Sequence, residues 1–305
     1  MTVLLPHRCR KAPERIRADI DGWLFALPYM ILFFVFTVLP VIMAILLSFT
    51  RFNMLQPPTF VGLDNYLKLF LEDDIFPLTM KNTLILAAVT GPVGYILCFF
   101  FAWCLNEMRP RVRAVFTFLL YSPSIAGNAY LIWTLIFSGD SYGYLNAILL
   151  RAGIIYQPIR WFQDPTYMLP LVIAVSLWMS LGTNFLVFIA GFQGLDVSLY
   201  EAGAVDGMKN RWQELWYITL PGMRAQLLFS AVMSITGAFS IGDIVSGLCG
   251  EPSTGYAAHT LMLHLRDYGT TRFEMGYASA IAVLLFAMML LSNLLFNRIL
   301  RRVGT

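Results

Sequence analysis

The sequence predicts an all-α membrane protein with six transmembrane helices, and three observations carry that prediction. The 305-residue chain is 58% hydrophobic and only 13% charged, against about 25% charged residues in water-soluble domains. Six uncharged stretches each reach the roughly 17–25 residues that cross about 30 Å of hydrocarbon. Lysine and arginine gather on one side of those stretches, as they do on the cytoplasmic side of membrane proteins. A net charge of only +3 gives no sign of a nucleic-acid partner.

Taken in order, residues 1–22 form a basic segment with Arg8, Arg10, Lys11, Arg15 and Arg17, and residues 23–50 follow without a charge. A secretory signal has an apolar core of about 7–15 residues and a small-residue cleavage site. The 23–50 run is longer and made of large residues, so it is expected to stay as the first transmembrane helix. The remaining runs, 82–106, 114–139, 165–195, 225–242 and 275–297, make a five-helix core over 82–298, closed by a basic tail at 299–305. Pro123 and Asn128 mark an expected bend in the third span, since proline removes a backbone donor. One side of the spans holds 14 basic residues: the five above, Arg109, Arg111, Arg113, Lys209, Arg211, Arg224, Arg298, Arg301 and Arg302. The other holds seven: Arg51, Lys68, Lys81, Arg151, Arg160, Arg266 and Arg272. Both termini and the 198–221 loop are therefore expected in the cytoplasm. No internal repeat is evident. Cys9, Cys98, Cys104 and Cys249 form no Cys-x-x-Cys pair, and His7, His259 and His264 add no ligand cluster, so no metal site is expected.

The loop at 198–221 is longer than a simple connection between spans 4 and 5 requires. It predicts two short helices joined by a sharp turn. Ser198 and Glu201 have the spacing of a capping box. Gly207 is placed to end the first helix, and Asn210 with Gln213 repeats the start signal. Trp212 and Trp216 fall one turn apart on one face. By spacing alone, such a hairpin equally fits a loop lying Trp side down on its own bilayer surface.

The residues Glu201-Ala202-Gly203-Ala204-Val205-Asp206-Gly207, followed by Ile218-Thr219-Leu220-Pro221, resemble the EAA loop of the membrane subunits of binding-protein-dependent ABC importers. Gly203 stands where that family usually has alanine. Further motifs resemble the carbohydrate-uptake class of the maltose and glycerol-phosphate type: Phe60-Val-Gly62-Leu-Asp-Asn65-Tyr66 with Phe76 and Lys81-Asn82-Thr83; Gly143-Tyr-Leu-Asn146 with Gly153; and Met275-Gly276-Tyr277-Ala278. Gly250-Glu-Pro252 with Thr254 resembles the class's Gly-Gly-Pro turn in altered form. The resemblance covers about residues 20–300. It implies a bacterial-type inner-membrane permease subunit importing a sugar, oligosaccharide or polyol. The EAA loop would be a coupling helix docking on separate ATPase subunits through Glu201, Ala202, Gly203, Asp206, Gly207, Leu220 and Pro221. It also implies a second permease subunit, two nucleotide-binding ATPase subunits and an external substrate-binding protein. This chain has no phosphate loop of the Gly-x-x-x-x-Gly-Lys type, so no cofactor is expected on it, with ATP and Mg on the partner ATPase subunits.

A sugar path through lipid needs polar groups turned inward. The fourth span offers Ser176, Ser180 and Thr183 at helical spacing, with Trp178 and Asn184 off that stripe. The fifth offers Ser234, Gly237 and Ala238, beside Ser230. Small residues of this kind serve helix packing as readily as ligand contact. Asp243, at the outer part of span 5, has three readings: an acceptor for sugar hydroxyls, an ion-pair member, or a residue exposed at the water interface. Two rival functions remain. An ion-coupled secondary carrier would want paired intramembrane carboxylates, where Asp243 stands alone. An intramembrane enzyme would want a Ser/His or His-Glu-x-x-His arrangement, which the spans lack.

Overall fold

The computed structural model describes residues 12–303, with side chains over 23–298. The basic charges expected at 1–22 and 299–302, and the termini's orientation with them, lie outside the described side chains. Among the described residues, five helices are long and apolar enough to cross a membrane: Trp23–Leu47 (span 1), Phe76–Asn106 (span 2), Pro165–Gln193 (span 4), Arg224–Cys249 (span 5) and Met275–Arg298 (span 6). Span 3 is a bent pair, Pro110–Ile125 and Ala129–Ile136, meeting at 90°. Its first proline sits at N1, where a missing N–H costs nothing. Its break falls at Gly127, whose φ of +57° suits a residue without Cβ.

Two helix ends depart from the uncharged runs for one reason: a charge ends a run in the sequence but not a helix. Span 2 begins at Phe76, before the expected residue 82, because the Asp73 Oδ1 accepts from the Ile75 and Phe76 N–H groups at 3.0 and 3.1 Å. Lys81 lies on its exposed face. Span 5 continues past residue 242 to Cys249, with Asp243 opening its outer piece.

Spans 4 and 5 are both interrupted. Span 4 consists of Pro165–Met179 and Thr183–Gln193; span 5 consists of Arg224–Phe239 and Asp243–Cys249. Both pack on span 2, which makes the most extensive helix contacts in the bundle. Close approach is set by glycine: a Cβ on Gly94 would lie 3.0 Å from the Ser180 Oγ, and one on Gly91 would lie 3.5 Å from Ala238. The Cys98 thiol donates to the Ser180 carbonyl at 3.2 Å, beside the Gly182 N–H that the same carbonyl accepts at 2.7 Å. Below these contacts Tyr95 and Phe99 meet the fully buried Phe188 edge-on, at 5.3 and 5.4 Å.

The motif residues outside the spans act as staples. Asn65 donates to the Ser48 and Thr50 carbonyls at 2.8 and 2.9 Å. Asn82 donates to the His259 carbonyl at 3.0 Å, and the Thr83 hydroxyl accepts from the Leu261 N–H at 2.8 Å. Gly276 is needed because a Cβ there would sit 2.0 Å from the Thr50 carbonyl oxygen. Asn146 is fully buried. It donates to the Ser138, Asp140 and Ile159 carbonyls and accepts from the Ile159 N–H and the Trp161 indole. Asn146→Ala removes this whole set of hydrogen bonds from one fully buried side chain, a loss of about 3 kcal/mol at roughly 0.5–1.5 per bond. The thermal unfolding midpoint in detergent is expected to drop by several degrees, and an unchanged midpoint would remove Asn146 from this role.

Candidate functional site

Where the breaks in spans 4 and 5 face span 2, they enclose a cavity of about 210 Å³ lined by Thr90, Gly94, Ser176, Met179, Ser180, Asn184, Met233, Ser234, Gly237, Ala238, Ile241 and Ile244. It brings together five of the expected path residues: Ser176, Ser180, Ser234, Gly237 and Ala238. Three others fall outside its wall. Thr183 is carried off the stripe because the helix is broken at 180–182, so the i+7 spacing never forms, and its side chain is exposed. Trp178 turns to Trp133, ring centroids 5.5 Å apart. Asp243 pairs with Arg266 at 3.0 Å, its side chain 84% exposed; the contact matches the ion-pair reading, and the carboxylate is not on the cavity wall. Asn184, expected off the stripe, enters the cavity through the same break. Its amide donates to the Ser234 hydroxyl at 2.8 Å. Its Oδ1 and the Ser176 Oγ are buried without a partner among the described residues. Two polar atoms without a partner therefore lie in span 4 behind the cavity's small residues.

The hairpin begins at Val197–Val205. Its cap is Asp196, whose carboxylate accepts from the Ser198 N–H at 2.9 Å, so the expected Ser198/Glu201 box is replaced by a cap two residues earlier. That hydrogen bond holds the Asp196 carboxyl below its ordinary range. The helix ends on Gly207 at φ +90°: Met208 N–H reaches the Gly203 carbonyl and Gly207 N–H the Ala204 carbonyl, the two bonds of a Schellman motif. Gly203 is buried because Met208 Cε and Ile218 Cδ1 occupy the space of a Cβ. The second helix starts on Asn210, which accepts from the Trp212 N–H at 2.6 Å, while the Gln213 side chain accepts from Lys209 N–H rather than from Asn210. Tyr200 and Thr219 hydroxyls, 2.9 Å apart, clamp the two helices. Leu220 and Pro221 then lead into span 5. Glu201, Ala202, Asp206 and Gly207 are all exposed, and Glu201 and Asp206 have no ion-pair partner among the described residues. Trp212 and Trp216 are exposed as well, with Trp212 resting 5.2 Å from the Trp103 ring at the end of span 2.

Residues 94–305 match the family described as "Binding-protein-dependent transport system inner membrane component". The chain belongs to that family. It is an inner-membrane permease component, not itself a catalyst, as its sequence motifs indicated. Among its relatives, "Probable ABC transporter permease protein YesP" of Bacillus subtilis (strain 168) is 36% identical, covering 94% of this chain and 93% of that one. "Lactose transport system permease protein LacF" of Rhizobium radiobacter is 31% identical over 87% of this chain and 88% of its own. A chain of a bacterial ABC transporter involved in the import of the acidic polysaccharide alginate, solved by crystallography, shares the fold with a TM-score of 0.76. It covers 97% of this chain and 100% of its own at 23% identity. Nothing in this membership supports the ion-coupled carrier.

The permease has a further polar centre, which the sequence did not reveal because Asp73 is separated from its two partners by 191 and 204 residues. Asp73 Oδ2 accepts from the Tyr277 hydroxyl at 2.6 Å and lies 2.9 Å from His264 Nε2. The His264 and Asp73 side chains are 2% and 5% exposed. Burial by itself would raise the Asp73 carboxyl, but the hydrogen bonds from His264, Tyr277 and the Ile75 N–H outweigh it and hold the group well below the usual carboxylate range. The only local signal was the Asp73/Phe76 spacing of a helix cap.

Proposed function

We propose that this permease forms one half of the path of an ATP-driven importer for a carbohydrate, with a second permease subunit supplying the other half. The observation that carries the cargo class is the cavity wall, whose polar members are neutral hydroxyl and amide groups with no carboxylate or basic residue among them. Neutral polyhydroxylated molecules can hydrogen-bond such groups without a charge to compensate. Relatives named for lactose and for arabinooligosaccharides support the same class. An external binding protein would deliver the cargo. Two ATPase subunits, carrying ATP and Mg, would dock on the cytoplasmic hairpin, whose exposed Glu201 and Asp206 offer unpaired acceptors and whose Tyr200–Thr219 clamp holds its two helices together. Both chain termini would lie on the hairpin's side of the bilayer.

The class is tested by titrating the matching binding protein against neutral sugars, acidic sugars and amino acids; tight binding of amino acids alone would refute it. With the sugar so identified, Asn184→Ala combined with Ser176→Ala should lower import kcat/KM about tenfold, as expected for hydrogen bonds worth roughly 0.5–1.5 kcal/mol each. Import equal to the parent's would remove the cavity from the path.

A further inference from the structure

Span 2 joins three regions within one unbroken helix. At one end, Trp103 packs on Trp212 of the hairpin, and Glu107 lies 3.5 Å from Arg211. In its middle, Thr90 and Gly94 line the cavity. At the far end, Asp73 caps it and binds His264 and Tyr277, while Asn82 and Thr83 fasten it to residues 256–261. Between these points it is one helix from Phe76 to Asn106; Pro92 removes a single rung without ending it.

Spans 4 and 5, by contrast, are attached to the hairpin by their inner pieces only. Beyond 180–182 and 240–242 the helical ladder is broken, and breaks of this kind absorb rotation as hinges. A displacement applied at the hairpin is thus free to turn the inner pieces without moving Pro165–Met179 or Asp243–Cys249. Span 2 passes both breaks in close contact, Gly94 at Ser180 and Gly91 at Ala238. Spans 1 and 6 contribute no residue to the cavity wall among the described residues.

We propose, resting on the coupling role given above to the hairpin, that span 2 is the rigid member carrying the hairpin's displacement past both breaks to the far side, and that Trp103 is the positioning residue through which span 2 receives it. The exposed Glu107–Arg211 pair is too weakly coupled to do this, since such pairs contribute little against solvent screening. The Trp103–Trp212 ring contact supplies an apolar, geometrically defined grip.

The test uses the assembled importer in sealed proteoliposomes, ATP inside, with native cysteines replaced and Gly237→Cys as reporter in the cavity. A membrane-impermeant maleimide is added outside. In the parent, ATP is expected to raise Gly237→Cys labelling about tenfold as the cavity opens outward, a modest shift in a two-state population. Trp103→Ala should hold that rise below about twofold, and Trp103→Phe, which keeps an aromatic face, should restore it. A cross-link from Glu201→Cys to the ATPase subunit reports docking separately. If docking is intact and Trp103→Ala still shows the full rise, the span 2 route is wrong while the coupling role stands. If the parent itself gives no cross-link, the coupling role fails and this proposal with it. Should Trp103→Ala not assemble, Trp212→Ala cuts the same contact from the hairpin side, and a full rise there overturns the route.

Discussion

Gly207→Val is expected to reduce import by about tenfold or more while the ATPase partners still assemble and hydrolyse ATP. The cause lies in the backbone. Gly207 has φ +90°, a conformation that costs other residues roughly 1–3 kcal/mol and a β-branched residue the most. Space is not the obstacle, because a Cβ there would meet nothing within 4 Å. What valine disrupts is the pair of Schellman bonds from Met208 and Gly207 to the Gly203 and Ala204 carbonyls. Without them the nine-residue helix Val197–Val205 is too short to hold its own end, and Glu201 and Asp206 lose their fixed presentation. Gly207→Asn, which tolerates positive φ, should retain most of the import. Gly203→Ala is the contrasting control: its Cβ would strike Met208 Cε and Ile218 Cδ1, both ends of flexible side chains, so the helix gains propensity and the hairpin repacks. Normal import by Gly207→Val, measured beside ATP hydrolysis, would remove the hairpin from the coupling path.

These two glycines also show what was legible in the sequence. Gly207 was readable because a C-cap is a local event, set by a handful of consecutive residues. Asn210 was readable for the same reason, and so was the predominantly helical plan of five straight crossings and one bent pair, which composition and run length dictate. The cap at Asp196 was missed because Ser198 and Glu201 offered a competing box at the right spacing, and the backbone entered the helix earlier. Thr183 and Asn184 exchanged places because the spacing argument assumed an unbroken span 4, while Gly182 adopts φ −117° and ψ −129° and resets the helical phase. The Asp73–His264–Tyr277 centre was beyond reach: its members meet only once the start of span 2 has been brought to the start of span 6, and nothing local to any of them marks the pairing.

That centre and its neighbour His259 give the second large effect, a loss of stability in acid expressed in two steps. His259 is 2% exposed, and its Nδ1 has no partner among the described residues. Burial, and then the nearby His264 ring 6.0 Å away, push it down to about 4, against a smaller opposing pull from Glu251 and Asp267. In the unfolded chain the ring titrates near 6.5. Between those values the unfolded chain holds a proton that the folded chain does not, so stability is full above pH 6.5 and falls as pH drops toward 4. The loss amounts to about 3 kcal/mol at most, taking 1.36 kcal/mol per unit. Asp73 contributes the second step. Its carboxyl is held below the ordinary range of about 3.9, so its stabilisation is present above that value and disappears as pH falls further, through the lower folded value. The unfolding midpoint in detergent should therefore decline from pH 6.5 to 4 and then more steeply below. His259→Gln should flatten the first limb and leave the second. Asp73→Asn should flatten the second, and also lower the midpoint at pH 7, because His264 and Tyr277 then face a weaker acceptor. A midpoint constant from pH 6.5 to 4 would mean that His259 takes up its proton without unfolding the segment around it.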